Sequence, residues 1–569
     1  MPLPIIAQDL GAIAQLARDG APGLALKLLD NAQPKAEENI QGWLFFERQR
    51  IDILRDWAQW DALSERLQKL PQNVPEDFRH WANVEGVNAY LNSGRATAAR
   101  ELLRRLIWKT EGASSVEQFS LYRRLIVRSY LVENNLEDAQ RAMRRYQQDY
   151  GDKGREWQKL RARVLLQLER PAEALKALQG IDEADYETMA LQWLAELRSQ
   201  SRPPKDILGN VRKAVEDKGS TPQDESRLWS VGAEAARDFG GRLTETRILE
   251  TVLMSPGALP ADDALFAVSG DRLWVAYRQF ALDEGNALQL LIGQDARWLD
   301  EAAKWTKKEP EKARALLTVV MLDGAVPENR QLAYTRFLES VKALPEPARL
   351  LQKLFLDTRT FPKPAAVPDQ VRYLLVDDAL SKNDMALATR LMSGFEGVPA
   401  GADPFEWGLR RARILVLGGN HAEGIAGLNK LLQANPRLDR TAWDRILQVV
   451  FDLQTVGRHE DAITLFKNIL QRPLEPQLQR EILYWQADSY KALHDFPRAA
   501  WLYLKSATLL DARGLDPWGQ TARFQAAEVL AEAGLPEDAR RIYEDLLKVT
   551  REPERRAAIK YKLQELWLR

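Results

Sequence analysis

The chain has 569 residues, with 80 Lys and Arg against 81 Asp and Glu and no cysteine. That length exceeds what one globular core holds, so the chain is either several domains or an elongated stack whose core grows with length. The formal net charge of −1 removes the whole-molecule attraction to phosphate expected of a dedicated nucleic-acid binder, and the lack of cysteine excludes disulfides, thiolate metal sites and cysteine nucleophiles.

The opening MPLPIIAQDLGAIAQLA has neither the basic start nor the apolar run of a signal peptide. A mature exported chain expressed with a starting Met begins in this way, and freedom from stray thiols suits an oxidising compartment. The expected location is therefore periplasmic, after removal of a signal peptide, in preference to cytoplasmic.

From residue 1 to about 254 apolar residues recur at helical spacing, and turn formers fall at Gly20, Gly94, Asn134 and Gly241, each followed by a second amphipathic segment. Within this region NAYLNSGRATAARELLRRLI carries Gly94, Ala99 and Leu103, and YLVENNLEDAQRAMRRY carries Asn134, Ala139 and Met143. Residues 95 to 170 hold 17 Lys and Arg against 10 Asp and Glu, a net of +7 that leaves the rest of the chain at −8. Charge is therefore segregated along the chain.

Between about 255 and 370 the pattern blurs. ALFAVSGDRLWVAYRQF and DARWLDEAAKWTKKEPEKARALLTVV read as helices without the small residues of the flanking regions, which predicts helical pairs at atypical angles. Apolar runs such as ALLTVVML at 315 to 322 are far shorter than the roughly 20 residues a membrane helix needs, so the chain is expected not to span a membrane. FPKPAAVPDQ, 361 to 370, cannot continue a helix and is the expected joint between two arms.

From 371 to 550 the pattern is clearest, with turns at Asn383, Gly419, Gly457, His494 and Gly534, the last four of them 38, 37 and 40 residues apart. FEWGLRRARILVLGGNHAEGIAGLNKLLQANP carries Ala412, Gly419, Gly424, Leu428 and Pro436, and VVFDLQTVGRHEDAITLFKNIL carries Gly457, Ala462 and Phe466. Two antiparallel helices approach to roughly 8–10 Å only where small residues face each other, with bulky ones filling the adjoining gap. Ala487 with Ala499 and Ala527 with Ala539 are the small pairs; Tyr490 with Tyr503 and Leu530 with Tyr543 are the fillers. Residues 551 to 569 read as a capping helix whose apolar end, Leu566, Trp567 and Leu568, either docks on the preceding pair or meets a partner.

A period of 35 to 40 residues marks an all-α solenoid of stacked antiparallel helix pairs. The pattern resembles the tetratricopeptide repeat family, with a small residue in the first helix, a Gly-like turn, a small residue early in the second helix, an aromatic four residues later and a closing Pro. The likeness covers about two thirds of the chain, and the spacing is longer than the family's 34.

The resemblance implies that the first helix of each pair lines a concave groove. In the unit turning at Asn134 the inward residues include Arg124 and Arg128, and in the next, turning near Glu169, Lys159 and Arg163. Each pair is spaced i,i+4 and shares a helical face, making a basic groove. In the C-terminal units the same positions hold Glu481, Tyr484, Asp488, Phe524 and Glu528, which are acidic and aromatic. The family's carboxylate clamp is not reproduced, because the Arg pair lacks a matching Asn. The same charges also serve to solvate a long helical surface.

No phosphate-cradling, dinucleotide, nucleophile-elbow, HExxH or EF-hand motif is present. Of the four histidines, His421, His459 and His494 fall at turns about one repeat apart, too far to share a metal ion. No catalytic residue, metal or cofactor is expected. The sequence points to a non-enzymatic scaffold for protein–protein interactions in a bacterial cell-envelope assembly. The alternative is a periplasmic polysaccharide-export scaffold, for which Trp81, Trp108, Tyr122 and Trp157 lie beside the basic stretch; the helical part of a cell-wall enzyme system ranks lower. The expected partner is an acidic protein or an anionic polysaccharide, with self-association open and nucleic acid excluded.

Overall fold

The computed structural model describes residues 8–108, 115–181, 184–217, 219–257, 259–285, 287–356, 358–395, 397–399, 401–513 and 515–568. Among them 31 α-helices and two short 3-10 helices follow one another without a strand. The chain is thus the expected stack of antiparallel helical hairpins. It divides into two compact units, Met1–Leu354 with Thr358–Thr360, and Phe355–Asp357 with Phe361–Arg569.

One turn design recurs in both units. After the first helix of a hairpin a single residue takes a left-handed conformation: Gly20, Ala58, Gly94, Asn134, Glu169, Gln200 and Gly240 in the first unit, and Asn383, Gly419, Gly457, His494 and Gly534 in the second. At Asn134 its N–H bonds the Leu131 carbonyl at 3.0 Å while the next N–H, of Asn135, reaches the Tyr130 carbonyl at 2.9 Å. The same pair of bonds recurs at His494 and Asp495, to Lys491 and Tyr490. This closing motif satisfies carbonyls the helix leaves unpaired and reverses the chain in the fewest residues. Near Gly241 the left-handed residue is Gly240, with φ 83°, and Gly241 caps the following helix instead. Several second helices then start on Pro or an Asp or Asn cap, as at Pro171, Pro536, Asn135 and Asp495.

The small-residue crossings form as the sequence requires. Ala487, Ala499, Tyr490, Tyr503, Ala527, Ala539, Leu530 and Tyr543 are all buried in one cluster of the second unit. At the Gly424 crossing a Cβ would lie 2.9 Å from Val416 Cγ2 and 3.1 Å from the Ala412 carbonyl oxygen, so only glycine lets these two helices approach. Second-unit hairpins run from Asp369–Ser381 with Met385–Met392 to Pro517–Glu532 with Pro536–Val549, followed by the capping helix Pro553–Leu568. Leu566 of that helix is buried, whereas Trp567 and Leu568 are exposed and the Trp567 ring stacks on the Arg540 guanidinium at 4.6 Å.

The first unit holds seven such hairpins among its described residues, from Gln8–Arg18 with Pro22–Ala32 to Pro222–Asp238 with Arg242–Met254. Beyond Met254 the pairing turns irregular: Asp295–Trp305 packs on Pro310–Asp323 as a helical pair, but the start of the region departs from the expectation of helical pairs throughout 255–370. ALFAVS is no α-helix: Ala261–Phe266 is a 3-10 segment, and the α-helix starts only at Gly270. The Gly270–Glu284 helix then packs on Pro310–Asp323 rather than on the next helix in sequence. The reason is polar as well as apolar. Arg314 donates to Glu250 from Nε at 2.9 Å and from Nη2, and the Tyr277 hydroxyl donates to the same carboxylate; all three are buried. A charge pair taken out of water must be fully hydrogen-bonded, and this one fixes which helix faces which.

Candidate functional site

The basic residues expected on the first-helix face of the N-terminal unit lie on the Val116–Val132 and Arg155–Gln167 helices. The structure brings Arg128, Lys159 and Arg163 into one network, and covers it with the unit's own chain. The segment from Leu259 to Ser269, following the seventh hairpin, crosses four first helices: Glu76–Asn92, Val116–Val132, Arg155–Gln167 and Pro222–Asp238.

Two adjacent carboxylates of this strap, Asp262 and Asp263, face the helices and are 2% and 0% exposed. Arg128 Nε donates to Asp262 Oδ2 at 2.7 Å, and Arg163 Nη1 reaches the same oxygen at 3.4 Å. Arg163 Nη2 lies 3.1 Å from Asp263 Oδ1, while Arg227 Nε donates to Asp263 Oδ2 at 2.7 Å. Three guanidinium groups from three successive or near-successive hairpins therefore converge on one dipeptide. Burial alone would raise the Asp262 carboxyl, but the Arg128 charge and hydrogen bond, with Arg163 beyond, hold it below its ordinary range.

Each arginine also has a second partner outside the strap. Arg128 Nη1 donates to Asn88 at 3.3 Å, Arg163 Nη2 to Glu187 at 2.6 Å, and Arg227 Nη1 to Asp224 at 3.0 Å. Lys159 is buried and donates to Asp185 at 3.2 Å and Glu187 at 3.1 Å. The Glu187 carboxyl is pushed up by burial but pulled further down by Arg163 and Lys159. Arg124, half-buried one turn before Arg128, forms no ion pair in the described network, and its Nε is buried without a hydrogen-bond partner. Of the aromatics beside the basic stretch, Tyr122 and Trp157 are core residues, whereas Trp108 is 85% exposed.

The second unit is arranged differently. Its first helices are joined by ion pairs between residues about one repeat apart: Arg413 with Asp452 at 2.7 Å, Arg440 with Glu481 at 2.5 Å, Arg480 with Asp516 at 2.6 Å and Lys491 with Glu528 at 2.8 Å. Between these rungs lie half-buried rings. Tyr484 meets Trp485, Tyr503 and Trp518 edge-on with centroids 5.1–5.4 Å apart, and Phe524 meets Tyr543 at 5.3 Å. Asp488 accepts from the Tyr503 hydroxyl at 3.2 Å, which burial and the Asp488 charge hold in its protonated form. Glu528 also meets Lys562 of the capping helix at 3.4 Å. Thus Glu481, Tyr484, Asp488, Phe524 and Glu528 share one face of two neighbouring hairpins and stay partly accessible.

Sequence reasoning missed Asp262, Asp263 and Arg227. An Asp-Asp pair inside PADDALF, where the repeat pattern fails, is the signal that marks such a strap. It also missed the rungs, whose signature is opposite charges one period apart on first helices. The histidines scatter. His80 Nδ1 shares a 2.6 Å hydrogen bond with the Tyr122 hydroxyl, His421 and His459 open second helices, and His494 occupies a left-handed turn. Among the described residues no group of His, Asp and Glu is arranged to hold a metal ion, and no helix is long and apolar enough to cross a membrane.

No family model matches the chain, and no curated protein matches it in sequence. Solved structures that resemble it include yeast Tom70, at 11% identity over 87% of this chain and 96% of that one, with a TM-score of 0.23. Maize pentatricopeptide repeat protein PPR10 is 14% identical over 98% of this chain and 89% of its own, with a TM-score of 0.27. The same protein in complex with an 18-nt psaJ RNA element is 14% identical, covers 99% and 92%, and has a TM-score of 0.26. Values this low carry nothing about what this chain binds.

Proposed function

We propose that the chain is a non-enzymatic scaffold that takes a protein partner along the first-helix face of its second unit, within a bacterial cell-envelope assembly. The observation that supports this most is the placement of Tyr484, Asp488, Phe524 and Glu528 on consecutive hairpins, partly accessible and held rigid by ion pairs one repeat apart. A row of fixed aromatics and carboxylates suits an extended segment bearing basic and apolar side chains, because little side-chain entropy is lost on docking. A cysteine-free chain of 569 residues supports an oxidising compartment. The near-zero net charge supports a partner other than nucleic acid.

A photo-crosslinking side chain placed at position 488 tests the reading, with position 501, exposed on a second helix, as its control. The reading predicts one discrete protein adduct from 488 that is lost with Glu528→Lys. Equal adducts from both positions, or retention of an acidic polysaccharide or an RNA in place of protein, contradict it.

A further inference from the structure

We propose that the Leu259–Ser269 strap is an internal ligand: it occupies the basic first-helix face of the N-terminal unit through Asp262 and Asp263, and an acidic protein segment with two adjacent carboxylates takes the same three arginines when the strap is displaced. The inference rests on the reading that first-helix faces are the binding faces of this scaffold, and extends it to the face that is covered.

The strap is held in the manner of a ligand rather than as part of the core. Its backbone hydrogen bonds from Asp263 to Pro260 at 2.9 Å and from Ala267 to Ala264 at 3.2 Å are internal to it. Phe266 is the one buried apolar side chain among residues 259–269, while Ala261, Ala264 and Ala267 are exposed. What ties it to the helices beneath is the two carboxylates together with the buried Phe266 side chain.

The seat keeps its own support when the strap leaves. Asn88, Glu187 and Asp224 remain as partners for Arg128, Arg163 and Arg227, so the guanidinium groups stay aimed at the same spot. Planar guanidinium groups in that arrangement select carboxylates over neutral side chains. Displacement also has defined ends. At Gly257 a Cβ would lie 2.2 Å from the Pro222 carbonyl oxygen, and at Gly270 one would lie 1.8 Å from that of Lys353. Two glycines thus let the chain enter and leave the face in close backbone contact, one on each side of the strap.

The test uses the full chain and a fluorescent peptide of residues 259–269, followed by anisotropy. Wild type is expected to bind it weakly, and the Asp262→Asn, Asp263→Asn chain at least tenfold more tightly, with affinity falling as salt rises. The same peptide with both aspartates changed to asparagine is expected not to bind. A folded double variant that takes the peptide no better than wild type overturns the proposal, as does equal binding of the asparagine peptide. An anionic polysaccharide that binds the variant where the peptide does not also overturns it. Should the double variant fail to fold, amide hydrogen exchange on wild type decides: strap amides are expected to exchange at least a hundredfold faster than those of the Val116–Val132 and Arg155–Gln167 helices. Exchange in step with those helices makes the strap core and ends the proposal. Because the reading for the second unit is tested at position 488, failure here leaves that reading standing.

Discussion

The two units are made of the same hairpins and treat their first-helix faces in opposite ways. In the second unit the hairpins repeat from Asp369 to Val549, and the face stays partly open, laced by ion pairs at its rim. In the first unit the repeat fails after Met254, and the irregular segment is what covers the face, burying two carboxylates against three arginines. Irregularity in a solenoid is therefore informative: where the pattern breaks, chain becomes available to do something other than stack. The energetics differ accordingly. Exposed ion pairs are worth about 0–1 kcal/mol each, whereas removing one partner of a buried pair costs about 3–5 kcal/mol because it strands the other charge.

The largest expected effect follows from that contrast. Arg163→Ala removes the guanidinium shared by Asp262, Asp263 and Glu187, leaving them only Arg128, Arg227 and Lys159, and should lower the unfolding free energy by about 1.5–3 kcal/mol in urea. Arg440→Ala, which breaks the half-exposed rung to Glu481, should cost no more than about 1 kcal/mol. Similar losses for the two would erase the distinction between a buried lock and a solvated rung.

Acid sharpens the same comparison. Asp262, Glu187 and Asp185 all sit below their ordinary range: burial raises each, but Arg128 acts on Asp262, Arg163 and Lys159 on Glu187, and the Thr188 and Lys159 hydrogen bonds on Asp185. Folded-state values below the unfolded ones mean that their stabilisation is complete above the unfolded value near pH 4 and is lost as pH falls through the folded values. Limited proteolysis below about pH 4 should therefore cut first within 259–269. First cleavage at the turns of the second unit would place the acid-sensitive element elsewhere.

A smaller effect probes the packing that both units share. Gly424→Ala forces a methyl against Val416 and the Ala412 carbonyl, and should cost about 1–3 kcal/mol, read from the urea midpoint. The smallest tests the turn. Ala58 holds a left-handed conformation with φ 51°, so Ala58→Gly should stabilise by up to about 1 kcal/mol, the relieved strain outweighing the added chain entropy. A loss of stability would show that the Ala58 methyl contributes packing at that turn.

The hairpins were legible because their signals are local. Ala487, Ala499, Ala527 and Ala539 recur at fixed offsets from a turn residue, and each lands buried where two helices cross. The left-handed turns at Ala58 and Gln200 were not legible, since neither residue type favours that conformation and only the neighbouring helices impose it. Placing Arg124, Arg128, Lys159 and Arg163 on two first helices was also within reach, because spacing i,i+4 fixes a face. What stands opposite that face was not. Arg128 and Asp262 are 134 residues apart, and no periodicity links a strap to the helix face beneath it. Glu250, Tyr277 and Arg314 escaped for the same reason, as a contact between elements that do not follow one another in the chain.

The central claim is that Asp262 and Asp263 hold the arginines of the first unit, and a double-mutant cycle across Arg128 and Asp262 tests it most directly. With Arg128→Ala, Asp262→Ala and the combined variant measured by urea unfolding of the full chain, the cycle should give a coupling of about 1–3 kcal/mol, the pair removed together costing less than the sum of the single losses. Losses that add to within about 0.5 kcal/mol would contradict it, leaving the strap lying over the first helices without gripping them.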